Sequence, residues 1–216
     1  MSGPKHRCLD NVGRWNNGVT IDKGTLEFYD QNSDEYAEFA EQNTPHEKLE
    51  QFIGDMPENA RALDLGCGIG WAAAQMKQAG IRIDAMDAST GLAEQAAKRF
   101  DLTVQIAGFT TLSGRQRYDG IWSHFALQHA PRNERQTIFE RISNALKPGG
   151  LFYAGMQKGS VDWRDDHGRL YCPFTENDLE DLLSGFADIR IEQASGKNFD
   201  GTPTLNLYVW ARTHVR

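Results

Sequence analysis

The chain has 216 residues, 39% of them hydrophobic and 25% charged, which suits one α/β domain and argues against wholesale disorder. Its formal net charge of −7 provides no basic surface for gripping a phosphate backbone, so nucleic acid is a disfavoured partner. No run reaches the roughly 18 apolar residues of a membrane span. The first residues lead into no apolar segment of the signal-peptide type, and we expect a cytoplasmic protein.

The three cysteines, Cys8, Cys67 and Cys172, are too few and too scattered for a disulfide framework. Together with the histidines they match no standard ligand spacing, so we expect no metal site. Cys67 lies between two glycines and has no Cys-x-x-Cys partner or basic cluster nearby. We interpret it as a small residue that fits a tight turn.

The first 57 residues are predicted to form a loop and a helical cap. Residues 1–21, which include Trp15, are rich in Gly, Asn and charge and are interpreted as a loop or lid. From Asp22 a helical period of three and four residues appears at Leu26, Tyr29, Ser33, Tyr36 and Ala40. A second helix is predicted from about Thr44 to Gly54. The tyrosines either pack this cap on the core or contribute to a ligand site.

The remaining chain, residues 58–216, is predicted to be an α/β core without a domain boundary. Strands are predicted at 61–65, 81–86, 102–106, 118–123 and 151–156, and helices at 69–79, 91–100 and 133–146. Such alternation predicts βαβ units and a mostly parallel sheet with right-handed crossovers. A helix follows Thr175, and strands at 189–192 and 204–212 then predict an antiparallel hairpin at the sheet edge.

The most informative stretch, residues 62–71, reads Ala-Leu-Asp-Leu-Gly-Cys-Gly-Ile-Gly-Trp. A short apolar strand ends here, and a helix opens after glycines at three alternate positions. Glycine is required where φ is positive or where a ligand must approach more closely than a Cβ permits. Backbone N–H groups at the start of a helix favour an anionic group. The turn therefore predicts a site for a small, partly anionic ligand.

Two ligands fit the glycine turn at this level. Gly68-x-Gly70-x-x-Ala73, followed by Asp87, satisfies the dinucleotide fingerprint, so an NAD-dependent oxidoreductase stays open although the chain has no Tyr-x-x-x-Lys pair. Asp64, however, is badly placed for a pyrophosphate and well placed for a ligand with an ammonium and a sulfonium. Asp87 ends the second strand, where its carboxylate is able to accept both hydroxyls of a ribose.

Four motifs in order carry a family resemblance: Leu-Asp-Leu-Gly-Cys-Gly-Ile-Gly at 63–70, Asp-Ala-Ser at 87–89, Tyr-Asp-Gly-Ile-Trp-Ser at 118–123 and Leu-Lys-Pro-Gly-Gly at 146–150. With them, residues 22–212 resemble the class I S-adenosylmethionine-dependent methyltransferases. The resemblance implies a three-layer αβα Rossmann-like fold whose seven-stranded sheet has the order 3-2-1-4-5-7-6, with strand 7 antiparallel. It also implies S-adenosylmethionine as cofactor, with S-adenosylhomocysteine as product.

The same resemblance assigns the cofactor contacts. They are Asp64, Gly66, Cys67, Gly68, Gly70, Asp87, Ala88, Ser89, Gly108, Phe109, Ser123 and His124. Many relatives carry an aspartate for the adenine amino group where this chain has Phe109. We therefore expect Phe109 to pack on the purine, with backbone groups meeting the amino nitrogen.

The acceptor is expected to be a small molecule, handled by residues near the same edge of the sheet. Candidate catalytic residues are Tyr29 and the histidines His124 and His129, which titrate near neutrality and suit a general base; alternatively they only shape the pocket. Candidate substrate contacts are Trp15, Arg164, Arg169 and Tyr171, with the arginines suited to a carboxylate. The alternative pairs both arginines with Asp162, Asp165 or Asp166.

Two further functional alternatives remain at this level. A non-catalytic relative would bind the cofactor and act as a sensor or partner subunit, using its acidic helical N-terminus as an interaction surface. A transferase acting on tRNA is disfavoured by the charge balance. A monomer or a homodimer is expected, and the sequence names neither the acceptor nor the atom that is methylated.

Overall fold

The computed structural model describes residues 22–198 and 201–215. It begins with three helices, α1 (Lys23–Gln31), α2 (Ser33–Gln42) and α3 (His46–Gly54). The continuous period from Asp22 predicts one helix where the structure has two, because Asn32 leaves the helical conformation and its backbone N–H and side-chain Nδ2 both donate to Phe28 O. Trp15 lies outside the described residues.

The α/β core follows in the predicted order. Its strands are β1 (Arg61–Leu65), β2 (Arg82–Asp87), β3 (Val104–Ile106), β4 (Tyr118–His124), β5 (Leu146–Gln157), β6 (Trp163–Arg164), β7 (Leu170–Tyr171), β8 (Phe186–Lys197) and β9 (Pro203–Thr213). Its helices are α4 (Trp71–Gln78), α5 (Thr90–Phe100), α6 (Arg135–Ala145) and α7 (Glu176–Leu182). Ser89 caps α5, and Thr175 caps α7 in a capping box with Asp178.

Seven strands form one mixed sheet in the order β3-β2-β1-β4-β5-β9-β8. β9 runs antiparallel to both β5 and β8, whereas β1 to β5 pair in parallel. β6 and β7 form a separate two-stranded hairpin, so β8 and β9 are the sixth and seventh strands of the main sheet. The predicted Rossmann-like fold and its order 3-2-1-4-5-7-6 are confirmed.

Helices cover both faces of the sheet, and alternate residues of each central strand enter different cores. Ile121 and Phe152 join a core with α6 and α7, while the next residues, Trp122 and Tyr153, pack with Phe52 of α3 on the other face. This is the two-residue period of a strand buried on both sides. Among the described helices, none is long and apolar enough to cross a membrane.

The β6–β7 hairpin fastens the N-terminal cap to the sheet edge. Arg164 donates to both carboxylate oxygens of Asp22 at 2.7 and 3.0 Å, and Leu170 N–H donates to Thr25 Oγ1 at 2.8 Å. Trp163 and Tyr171 stack across the hairpin with ring centroids 4.3 Å apart. The sequence predicts only a polar insertion here, because strands of two residues are too short to display a period.

Candidate functional site

The glycine turn between β1 and α4 has the backbone that its sequence predicts. Gly66, Gly68 and Gly70 have φ values of 74°, 53° and 80°. A Cβ on Gly66 would lie 2.3 Å from Ala126 Cβ and 3.3 Å from the Phe109 ring, whereas a Cβ on Gly68 would meet no protein atom within 4 Å. Gly66 is therefore fixed by packing, and Gly68 borders open space that a ligand is able to enter.

Asp87 joins the end of β2 to this turn. Its Oδ2 accepts from Gly68 N–H at 2.8 Å, and its Oδ1 accepts from Ser89 N–H at 2.9 Å. Burial raises the pKa of this carboxyl, although the hydrogen bonds from Ser89 and Gly68 lower it. The two backbone bonds fix the orientation of the carboxylate and leave each oxygen with further capacity to accept.

Asp64 is the second acid of the site and is only 2% exposed. Its Oδ2 accepts from Ala73 N–H, in the first turn of α4, at 3.1 Å. Burial raises the pKa of Asp64 to about 8; the Ala73 bond lowers the pKa, and the charge of Asp87 raises it further. No cation is paired with Asp64 among the described residues. A ligand cation at this carboxyl would favour its ionised form.

Two connected cavities lie over the turn, with volumes of about 680 and 110 Å³. They share Tyr29, Tyr36, Gly66, Gly68, His124 and Phe125 in their walls. Asp64 and Cys67 line only the larger cavity, while Asp87, Ala88, Ser89, Gly108 and Phe109 line only the smaller one. The structure therefore brings ten of the predicted cofactor contacts to one continuous cleft.

Gly70 and Ser123, also predicted as cofactor contacts, have structural partners. A Cβ on Gly70 would lie 2.8 Å from Leu102 Cδ1, so this glycine lets α4 approach α5. Ser123 is fully buried, and its Oγ donates to Leu65 O at 2.8 Å, which ties β4 to β1. Burial raises the pKa of the Cys67 thiol, as expected for a small buried residue.

His124 ends β4 between the two cavities. Its Nδ1 lies 3.0 Å from Tyr153 Oη, and its ring stacks against Trp122 and Tyr153. Burial, with a smaller effect of Lys48, lowers its pKa to about 3, so the imidazole is neutral at pH 7. Space for the ring exists because position 155 is glycine: a Cβ there would lie 2.8 Å from His124 Nδ1.

His129 has a tautomer that its partners determine. Its Nδ1 lies 2.6 Å from Leu170 O, and a carbonyl only accepts, so Nδ1 carries the proton. Its Nε2, 3.1 Å from Tyr29 Oη, must then accept from the tyrosine hydroxyl. Burial lowers the pKa of His129 to about 4 and raises that of Tyr29. Both ring nitrogens are engaged, and His129 holds Tyr29 of the cap over the cleft.

The predicted substrate residues separate into two groups. Arg169 and Tyr171 line the larger cavity, with Arg169 Nε bonded to Asp165 at 2.7 Å in a pair that is almost fully buried. Arg164 is half-exposed and binds Asp22 of the cap, a partner that differs from the three acids suggested by the sequence. Of the arginine–aspartate pairs considered from the sequence, the structure contains the pair of Arg169 with Asp165.

Sequence reasoning missed several polar residues of the larger cavity. They are Lys48, Gln128, Gln157, Asn198, Asn206 and Tyr208. A signal existed for β9, because Leu205, Leu207 and Val209 alternate along this strand and the intervening Asn206 and Tyr208 must then face the opposite side. No sequence pattern points to Gln128 and Gln157, because a tertiary contact between their distant segments brings them to the cavity.

Comparisons with known proteins agree with this geometry. Residues 62–150 match a family model described as a methyltransferase domain. Phosphoethanolamine N-methyltransferase 2 of Caenorhabditis elegans is 31% identical over 161 residues, 67% of this chain and 36% of that relative. Trans-aconitate 2-methyltransferase of Deinococcus radiodurans is 31% identical over 162 residues, 72% of this chain and 58% of that relative. The chain thus spans between about a third and three fifths of the curated relatives it matches.

A solved structure with the same fold is 1,6-didemethyltoxoflavin-N1-methyltransferase of Burkholderia thailandensis, which contains bound 1,6-didemethyltoxoflavin and S-adenosylhomocysteine. It superposes with a TM-score of 0.68 at 24% identity, over 88% of this chain and 85% of that one. Residues 62–150 thus belong to the methyltransferase-domain family, and the chain around them has the fold of the class I S-adenosylmethionine-dependent methyltransferases.

Proposed function

We propose that the protein binds S-adenosylmethionine and transfers its methyl group to a small-molecule acceptor. The observation that carries the proposal is the placement of two acids, the buried Asp64 and the half-buried Asp87, beside one glycine turn and in two adjacent cavities. A ligand that fits must offer a cation at one acid and hydrogen-bond donors at the other. S-adenosylmethionine has an ammonium group at one end and ribose hydroxyls nearer the other.

The residues present fit this cofactor. In our proposal Asp64 binds the ammonium group, Asp87 accepts from the ribose hydroxyls, and Gly68 leaves room for the ligand chain. Phe109 borders the smaller cavity and offers an aromatic ring to the purine. A bound cation would also compensate the cost of ionising Asp64, whose pKa of about 8 reflects an unpaired buried carboxyl.

When bound, the cofactor supplies an electrophilic methyl group on a sulfonium, and the protein must orient the acceptor and exclude water. Of the two candidate histidines we propose that His124 contacts the acceptor, because its Nε2 has no partner among the described residues, whereas both nitrogens of His129 are engaged. A pKa of about 3 makes His124 a poor general base at pH 7, contrary to the near-neutral titration expected from the sequence. Its proposed role is to position the acceptor by a hydrogen bond.

The acceptor is proposed to be small because the larger cavity, at about 680 Å³, must also hold part of the cofactor. The relatives are named for phosphoethanolamine, trans-aconitate and 1,6-didemethyltoxoflavin. These three molecules differ in charge and shape and share small size. They support a small acceptor as a class and do not select one member.

The proposal is tested by calorimetric titration with S-adenosylhomocysteine. We expect saturable binding that Asp87→Ala weakens, since that variant removes the acceptor for the ribose. Glu94→Ala, at an exposed acid on the following helix α5, is the matched control and should bind like the wild type. The proposal would be contradicted if S-adenosylhomocysteine gave no saturable heat with the wild-type protein, or if the protein instead bound NADH and enhanced its fluorescence.

Turnover is tested separately with a labelled methyl donor and metabolite extracts. Transfer of label to a small molecule is the expected result. Tight binding of S-adenosylhomocysteine without transfer to any acceptor would instead favour the cofactor-binding sensor.

A further inference from the structure

The larger cavity ends in a group of carboxamide side chains that the cofactor residues do not include. We call Gln128, Gln157 and Asn206 the amide cluster. The three side chains line this cavity and are 4%, 6% and 3% exposed, respectively. Gln157 and Asn206 are directly paired across β5 and β9, and Gln128 comes from the short helical turn after β4.

The hydrogen bonds inside the amide cluster leave a donor and an acceptor available. Gln128 Oε1 accepts from Gln157 backbone N–H at 3.0 Å, which determines the orientation of that amide and leaves its Nε2 unpaired among the described residues. Gln157 Nε2 donates to Asn198 Oδ1 at 2.5 Å. Gln157 Oε1 likewise has no hydrogen-bond partner among the described residues. Neither atom is among the fully enclosed unpaired atoms, so both remain accessible.

The amide cluster lies close to the proposed site of methyl transfer. His124 pairs with Gly155 of β5, and Gln157 follows on the same face of that strand, about 7 Å further along. Tyr208 of β9 connects the two places: it pairs with Gly155, and its ring stacks at 6.3 Å from that of His124. Both places line the larger cavity, and a planar ring bound against Tyr208 would be able to reach the amide cluster and His124 together.

Charge in this cavity favours a neutral ligand. Lys48 is paired with Glu192 and also lies 4.1 Å above the Tyr208 ring, and Arg169 is paired with Asp165. Lys197 is exposed, so water and salt screen its charge. A charged acceptor would lose its hydration here without gaining a buried counter-charge of its own. Of the acids that line the cavity, Glu47 is exposed and Asp64 is assigned to the cofactor ammonium in our proposal. The buried groups left for recognition are neutral amides and rings.

We infer that the amide cluster recognises the methyl acceptor, and that this acceptor is an uncharged planar molecule with a carbonyl group beside an N–H, as in an aromatic amide or a lactam. The inference rests on the proposed function. Gln128 Nε2 donates to the carbonyl of the acceptor, and Gln157 Oε1 accepts from its N–H. A buried site of this kind discriminates strongly, because a ligand without the matching groups leaves both amides unpaired.

The test uses three small probes in the presence of saturating S-adenosylhomocysteine, with ligand-detected NMR as the readout. Benzamide and 2-pyridone carry the carbonyl beside N–H, while benzoate has the same ring as benzamide but is charged and lacks N–H. We expect benzamide or 2-pyridone to bind at least about tenfold more tightly than benzoate. Equal or tighter binding of benzoate, or no binding of either amide probe, would overturn the inference.

Gln128→Glu gives the sharper comparison, because it keeps an oxygen for Gln157 N–H and replaces the Nε2 donor with a carboxylate oxygen that only accepts and carries charge. We expect it to weaken the amide probe by about tenfold, while Gln136→Glu, at an exposed glutamine of α6, has no effect. Unchanged probe affinity in Gln128→Glu would contradict the inference. S-adenosylhomocysteine is titrated into the same samples: its failure to bind would contradict the proposed function, and normal binding reports a folded variant.

Discussion

At the scale of single residues, the proposed contact of Asp64 with the cofactor predicts that binding depends on pH. Its pKa of about 8 means that the free protein carries mostly the protonated acid at pH 7. An ammonium group favours the carboxylate, so binding releases a proton and weakens as the pH falls below about 8. We expect the heat of S-adenosylhomocysteine binding at pH 7 to differ between phosphate and Tris buffers by their ionisation enthalpies.

Asp64→Asn is the control for this proton release. The amide keeps the oxygen that accepts from Ala73 N–H but does not titrate, so binding should be weaker and independent of the buffer. A buffer-dependent heat that persists in Asp64→Asn would assign the proton to another group. Proton uptake by the wild type would contradict the predicted sign.

His129 is predicted to remain neutral over the range where an exposed histidine titrates. Its lowered pKa of about 4 and its two fixed hydrogen bonds favour the Nδ1–H tautomer from pH 5 to 8. Imidazole ¹⁵N spectra should therefore show no titration near pH 6.5 at this residue. Protonation of His129 above pH 6 would contradict the assignment.

The folded pKa of His129 lies below its unfolded value, so this residue stabilises the fold above pH 6.5 and loses that contribution as the pH falls toward 4. The sequence identifies His129 as a candidate of the site but not its tautomer. Its partners, Tyr29 and Leu170, lie 100 and 41 positions away, and only tertiary structure brings them together.

At the scale of elements, the glycine turn sets the spacing between β1 and α4. Gly66→Ala combines a positive φ of 74° with a Cβ only 2.3 Å from Ala126 Cβ. We expect a loss of about 1–3 kcal/mol in the free energy of unfolding, together with weaker S-adenosylhomocysteine binding. Gly54→Ala, at the end of α3 with nothing within 4 Å of its Cβ, should change stability by no more than about 0.5 kcal/mol.

Denaturant unfolding measures both glycine variants. Equal stabilities for Gly66→Ala and Gly54→Ala would show that the turn relaxes without cost, contrary to the packing seen at Ala126 and Phe109.

The cap is fastened by short contacts, and Arg164→Ala tests one of them. Because Arg164 is half-exposed, we expect a loss below about 1 kcal/mol in global stability but faster amide hydrogen exchange in α1. Arg190→Ala, which removes an exposed ion pair with Glu192 on β8, should leave α1 exchange unchanged. Equal exchange of α1 in the wild type and both variants would contradict a fastening role for the hairpin.

Helices and strands could be predicted where the pattern of neighbouring residues alone determines them. The apolar run before Gly66 gives β1 at the predicted residues, and α5 spans Thr90–Phe100, within one residue of the predicted helix at 91–100. The break at Asn32 was not predictable, since the apolar period continues through it and the interruption depends on hydrogen bonds to Phe28. β6 and β7 depend on contacts with α1 and are too short to carry a pattern of their own.

At the scale of the whole molecule, the parallel βαβ units follow from the alternation of strands and helices in the chain and from the crossover rule, whereas the strand order was implied by the family resemblance. The cofactor half of the cleft follows too, because Asp64, Gly68 and Asp87 lie at consecutive strand ends. The acceptor half does not. Lys48, Gln128 and Asn206 come from three distant segments, and their proximity is a product of the completed sheet.

Ligand protection tests whether the cap and core act as one binding unit. S-adenosylhomocysteine at a hundred times its dissociation constant should stabilise the protein by about 2.7 kcal/mol and raise Tm by about 5–11 °C. Because Tyr29 and Tyr36 border both cavities, slower hydrogen exchange should extend from residues 66–70 to α1 and α2. The middle of β8, at the sheet edge, provides the internal reference. Protection confined to residues 66–70 would mean that the cap does not contact the cofactor, and would argue against Tyr29 as a residue of the site.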